Sequence, residues 1–118
     1  MNYLGAFEQL ILYSVVNLGG DAYGGNIRDD IERRTGRVIS AGAINTTLGR
    51  LAERRLVTAR IAEPTAGRVG RPRKHYLMTP AGARALRESY VTIQAMSGGL
   101  LDRLDALASP AKPAKGKA

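Results

Sequence analysis

The chain has 118 residues, which allows one domain with a modest core that a dimer interface would help to complete. It has no cysteine, which excludes disulfides and thiolate metal sites and fits a reducing cytoplasm. Its net charge of +8 is placed rather than spread: residues 50–74 hold eight Lys and Arg against Glu53 and Glu63, and the tail adds Lys112, Lys115 and Lys117.

Residues 4–18 form the most apolar stretch, yet it contains Glu8, Gln9 and Asn17 and lacks a basic leader. It is too short and polar to span a bilayer and makes a poor signal peptide, so a soluble, cytoplasmic protein without a membrane partner is expected. Phe7, Leu10, Ile11, Ser14, Val15 and Leu18 recur at helical steps and predict a first helix over 5–18 with one buried stripe. Gly19-Gly20-Asp21 ends it. A second helix over 23–35 turns Ile27 and Ile31 inward, with Gly36 beyond its end.

Asp29, Asp30 and Glu32 cluster on that helix. They are not a catalytic pair, because consecutive helical positions diverge and no nucleophile or phosphate loop accompanies them. They read as a solvated face, or as repulsion that keeps the face off a polyanion. No enzyme signature and no cofactor site emerges elsewhere.

Residues 37–39 are a short connector, at most one strand rung. The stretch SAGAINTTLGRLAERRL then predicts a third helix over 40–54, with Ser40 as N-cap and Ile44, Leu48 and Leu51 on one face. Its other face carries Asn45, Thr46 and Arg50, of the kinds that reach base edges. Next, Leu56, Thr58 and Arg60 alternate with Val57, Ala59 and Ile61, as in a half-buried strand, and KHYLM at 74–78 is a second strand-like run. Between them Pro64, Gly67, Gly70 and Pro72 make an extended loop whose Arg68, Arg71, Arg73 and Lys74 are free to follow phosphates. Helix, strand, basic turn and strand outline a winged helix. The expected fold is mainly α with a small β-hairpin, a winged helix-turn-helix, and double-stranded DNA is the expected partner. Lone His75 belongs to the strand, since no Cys or second His completes a metal site.

Thr79-Pro80 starts the last helix. Leu86, Tyr90, Ile93, Ser97, Leu100, Leu104 and Leu107 follow heptad spacing, a seam that needs either the first helix or a second chain, and a homodimer is expected. Gly98-Gly99 interrupts it, each mid-helix Gly costing about 1 kcal/mol, so a kink or break is expected there. The organisation read from these signals is a DNA-binding domain over 1–79, a dimerisation helix over 80–108 and a disordered basic tail over 109–118. That tail either adds non-specific DNA contacts or only solubilises.

With these pieces in place, the chain resembles the PadR-type transcriptional regulators, in their short form with one C-terminal helix. The matching segments are LGAFEQLIL at 4–12, DAYGGNIRDDIERRTGR at 21–37, SAGAINTTLGRLAERRLV at 40–57 and GRPRKHYLMTPAGARAL at 70–86. The resemblance implies a winged-helix homodimer that binds operator DNA and usually represses, with dimer contacts between the first and last helices. It also implies a small, often aromatic effector near that interface. Phe7, Tyr13 and Tyr90 can line such a site, or simply pack. Two positions depart from the family. Asn45 stands where Tyr is usual, and Asn can pair bidentately with adenine. Arg55 stands where Gly is usual; a left-handed Arg there costs roughly 1 kcal/mol, or else the third helix runs one residue further or the turn differs locally.

The N-terminal half of the third helix is thus expected in the major groove, presenting Ser40, Ala41, Gly42, Asn45 and Thr46. Ser40 caps the helix or contacts a base, Gly42 allows close backbone approach or merely tolerates packing, and Asn45 is the first choice for base readout. Arg50 reaches a phosphate or pairs with Glu53. Tyr23 faces the sugar–phosphate backbone, as the resemblance implies, or belongs to the core. Gly70-Arg71-Pro72 looks like the core of an AT-hook, which inserts Arg into a narrow minor groove, although wing contacts to phosphates also explain it. Three functions remain in falling order: a dimeric sequence-specific repressor, a sequence-tolerant architectural DNA binder, and a protein–protein module.

Overall fold

Helix α1 (Ala6–Leu18) starts where the Gly5 amide donates to the Glu8 carboxylate, 2.8 Å away. The computed structural model describes residues 4–62 and 73–110. After a single 3-10 turn (Gly19–Asp21) come α2 (Gly24–Thr35) and α3 (Ala41–Glu53). The antiparallel hairpin β1 (Val57–Ala62) and β2 (Arg73–Met78) follows, in a register running from Val57 opposite Met78 to Ala62 opposite Arg73. Two helices, α4 (Pro80–Ser97) and α5 (Leu101–Ala108), complete the described chain. The fold is mainly helical with one two-stranded sheet, as expected.

The core forms where α1, α2 and α3 meet the base of the hairpin. Ile11, Leu12, Val15, Ile27, Ile31, Ile44, Leu48, Leu51, Leu56 and Val57 are all buried. Each such side chain contributes roughly 1.5–3 kcal/mol relative to exposure. The expected stripes of α2 and α3 are present, while α1 buries Leu12 as well because neighbours pack on two of its sides. Residues 37–39 form no strand rung; they are an irregular link with Val38 exposed and Ile39 packed on the core. Half-burial of the first strand is also corrected. Thr58, Ala59, Arg60 and Ile61 are exposed, because the hairpin projects past the last turn of core.

Asp30 overturns the reading of the acidic cluster. Asp29 and Glu32 are exposed, but the Asp30 side chain is only 1% exposed. Ser14 Oγ donates to its Oδ2 at 2.9 Å, and Arg33 Nη2 and Arg34 Nε each donate to Oδ1 at 2.8 Å. A carboxylate excluded from water is tolerated only with such partners. Burial alone pushes its pKa up; the hydrogen bonds from Arg34 and Ser14 and the charges of Arg34 and Arg33 outweigh that and hold it below the ordinary value.

Arg55 adopts the left-handed conformation at φ 61°, and the alternative of a longer helix is not realised. Its amide donates to the Ala52 carbonyl and that of Leu56 to the Leu51 carbonyl, the Schellman pattern in which Gly normally holds this place. Thr79 then ties α4 to the same turn. Its hydroxyl accepts from Gly82 N and lies 2.8 Å from the Arg55 carbonyl oxygen, to which it donates. Gly82 is required here, since a Cβ would overlap the Leu56 carbonyl oxygen. Ala85 and Leu86 pack into the core beside it, so the first turns of α4 belong to the winged unit.

Gly98 and Gly99 break the C-terminal segment into two helices, Gly99 at φ 78°, rather than leaving the single helix that the resemblance implied. Leu86 of the seam is buried within its own chain, whereas Tyr90, Ile93, Leu104 and Leu107 are exposed and Leu100 is half-buried.

Replacing Arg55 by Gly is expected to stabilise the protein by about 1 kcal/mol in urea unfolding, by relieving left-handed strain. Asp30→Asn is expected to lower Tm most near neutral pH. A depressed carboxylate stabilises fully above its unfolded value of about 3.9 and loses that contribution as pH falls through the lower folded value. The Tm gap between the two proteins should therefore narrow below about pH 4.

Candidate nucleic-acid interface

Burial of Ile44, Thr47, Leu48 and Leu51 turns the opposite side of α3 outward. Ala41, Gly42, Asn45, Thr46, Gly49 and Arg50 are all exposed there. Ser40 caps the helix, its Oγ accepting from Ala43 N at 3.1 Å. Apart from the neighbouring residues and backbone of α3 itself, no heavy atom of the described residues lies within 4 Å of where a Cβ on Gly42 or Gly49 would sit, so neither glycine is needed for packing there. Among the described residues Arg50 forms no ion pair with Glu53. The result is a polar, uncharged surface on the first two turns with a cation at its C-terminal end. Such a surface can offer amide and hydroxyl groups to base edges and a guanidinium to a phosphate.

The start of α2 lies beside this surface. Asn45 Oδ1 is 3.0 Å from the place where a Cβ on Gly24 would stand, so the Asn45 carboxamide occupies room that glycine leaves open. On the other side, Tyr23 meets the hairpin. It forms an isolated bridge with His75, and Tyr76 N donates to the Ala22 carbonyl at 2.8 Å. His75 Nδ1 is 2.8 Å from the Gly20 carbonyl oxygen, which makes that nitrogen the donor. The Tyr23 and His75 rings lie 5.4 Å apart, and the Arg73 guanidinium sits 4.5 Å over the Tyr23 ring. Tyr23 is half-buried and Arg73 exposed, so Tyr23 is neither a core residue nor a free surface one.

Arg73 and Lys74 open strand β2 rather than lying in the loop, and both are exposed. Arg68, Arg71 and the Gly70-Arg71-Pro72 motif lie outside the described residues, as do the tail lysines. Arg54, counted with the basic stretch, is 3.1 Å from Glu8 and helps hold α3 to α1. Sequence reasoning passed over Arg60 as a surface cation. It stands opposite His75 in the register, on the strand face that also carries Arg73, and strand alternation with correct pairing would have shown it.

The aromatic trio proposed for an effector does not close into a core. Phe7 and Tyr13 pack on the core while Tyr90 is exposed. Burial pushes the Tyr13 hydroxyl pKa up, with a smaller push from Tyr90 nearby. Among the described residues no group of His, Asp or Glu is placed to hold a metal, and no helix is long and apolar enough to cross a membrane.

A helix-turn-helix with an open polar second helix and an adjoining basic hairpin defines a winged-helix transcription regulator. A family model described as the transcriptional regulator PadR-like family matches residues 11–88. The chain belongs to that family, whose members are transcriptional regulators and not enzymes. Solved structures agree in fold. A PadR family regulator from Clostridium difficile is 20% identical, with a TM-score of 0.67 over 85% of this chain and 99% of its own. A PadR-like regulator from Bacillus cereus is 22% identical, with a TM-score of 0.67 over 90% and 95%. F93 from STIV, a winged-helix DNA-binding protein, is 16% identical, with a TM-score of 0.65 over 83% and 98%. No curated protein matches the sequence.

Proposed function

We propose that the protein is a homodimeric, sequence-specific repressor that binds operator DNA and is released by a small-molecule effector. The open face of α3 carries this reading, because Asn45 and Thr46 are exposed there beside the hairpin cations. In it, Ala41, Gly42, Asn45 and Thr46 meet base edges, Ser40 orients the helix, and Arg50 takes a phosphate. Arg68, Arg71, Arg73 and Lys74 follow the backbone from the wing, and Tyr23 lies between helix and wing. A cytoplasmic location fits this reading, since the DNA it would bind lies there. The 1–79 segment reads DNA, and the 80–108 segment pairs two chains through Tyr90, Ile93, Leu100, Leu104 and Leu107. Exposure of Ile93 and Met96 on α4 and of Leu101, Leu104 and Leu107 on α5 supports that pairing, since so much apolar surface is otherwise left in water. Leu86 contributes by anchoring α4 to the core.

Selection from a random duplex pool at about 150 mM salt tests the reading, because non-specific affinity is already weak there. A two-fold symmetric motif with half-sites about 10 bp apart, or a multiple, is expected. Only an A·T-rich bias would move the function to sequence-tolerant architectural binding through the hairpin cations, and no binding would leave a protein–protein module. Asn45→Ala should relax preference at one base position, costing about 1–3 kcal/mol on the selected site, whereas Arg71→Ala should weaken all sequences evenly. Leu104→Asp should shift sedimentation from dimer to monomer and lower affinity for the symmetric site at least tenfold, the loss expected when two half-sites no longer bind together.

A further inference from the structure

We infer that Tyr23 acts as an aromatic seat for Arg73, holding its guanidinium over the ring so that its N–H donors are presented to a phosphate. The inference rests on the DNA-binding reading above and deepens it by assigning a positioning residue. Arg73 is exposed, has no ion pair among the described residues, and keeps its guanidinium carbon 4.5 Å over the Tyr23 ring centroid. Attraction of a guanidinium to an aromatic face restrains it, while its donors on the solvent side stay available to an anion. A flexible Arg otherwise loses side-chain entropy on meeting a phosphate, and a pre-placed one loses less.

The seat is itself held from behind. Backbone pairing of Tyr23 with His75 and of Ala22 with Tyr76 fixes the start of α2 to β2. His75, tilted 30° to the Tyr23 ring and bonded to the Gly20 carbonyl, keeps the ring from rotating away from the strand. Tyr23 and Arg73 are 50 positions apart in sequence, yet this pairing sets Tyr23 against His75, two positions along β2 from Arg73 and on the same strand face. The role of Tyr23 is therefore carried by its ring, whereas a direct phosphate contact would be carried by its hydroxyl.

The test uses the full chain and a mixed-sequence duplex, with affinity followed across a salt series. Tyr23→Leu keeps apolar bulk and removes the ring; Tyr23→Phe keeps the ring and removes the hydroxyl. Arg73→Ala is expected to lower affinity roughly tenfold for the dimer and to reduce the log–log salt slope by about two, one phosphate per subunit. Tyr23→Leu should lose a similar amount, Tyr23→Phe should restore most of it, and Tyr23→Leu should cost nothing further in an Arg73→Ala background. Thermal melts check that the variants fold, and because Arg73 is exposed, its substitution stands as a test if Tyr23→Leu melts early. An unchanged salt slope in Arg73→Ala overturns the inference. So does a Tyr23→Phe protein as weak as Tyr23→Leu, or equal losses from Tyr23→Leu with and without Arg73. Failure of the unaltered protein to bind any duplex would instead overturn the DNA-binding reading on which the seat depends.

Discussion

Burial of the apolar stripe of α3 is the constraint on which the rest of this fold depends. Ile44, Leu48 and Leu51 fit against α1 and α2, and a helix that commits one side to a core must present the other to water. The rotation of α3 about its axis is thereby set, and Asn45, Thr46 and Arg50 face outward with no side-chain hydrogen bond or ion pair among the described residues to hold them there. Asp30 supports the same packing from below. By joining Ser14 of α1 to two arginines of α2, it fixes the spacing of the helices on which α3 rests.

A second constraint orients the hairpin. Two strands alone are marginal in water, and β1 and β2 are anchored in the core through Val57, Tyr76 and Met78, next to Leu56 at the preceding turn. The bridge at Tyr23 and the Tyr76–Ala22 hydrogen bond extend the sheet by a short third rung. The basic edge is thus attached to the start of α2, next to the side of α3 that is open. Placement of cations beside the polar face follows from backbone pairing, not from attraction among the charges, which repel one another.

The C-terminal helices follow a different logic. α4 is held at its start, where Thr79 and Gly82 meet the turn at Arg55 and Leu56 and Ala85 and Leu86 enter the core, and it also packs along α1. Beyond that its apolar residues leave the core behind, and after the break at Gly98 and Gly99 no residue of α5 is buried. Met96 at 76% and Leu107 at 78% exposure belong to a run of exposed apolar residues along α4 and α5. The heptad spacing therefore survives in the sequence as a pattern that the single chain does not use.

The sequence by itself determined the elements and the class. Helical periodicity located α1, α2 and α3 to within a residue or two, Ser40 and Thr79 marked caps that form, and helix, strand, basic turn and strand identified the winged helix. The open side of α3 was legible because the period of 3.6 separates Asn45 from Ile44. Only the tertiary structure decided what depends on distant partners. Asp30 looked like surface because its neighbours in sequence are charged, and it is buried because Ser14, on another helix, meets it. The strand pattern suggested half-burial of β1, but the core ends at its first residue. Tyr23 was ambiguous until β2 came alongside, because stacking between residues far apart in the chain leaves no periodic trace. Local spacing encodes which face a residue shares, whereas burial and pairing across the chain arise from packing that no single segment contains.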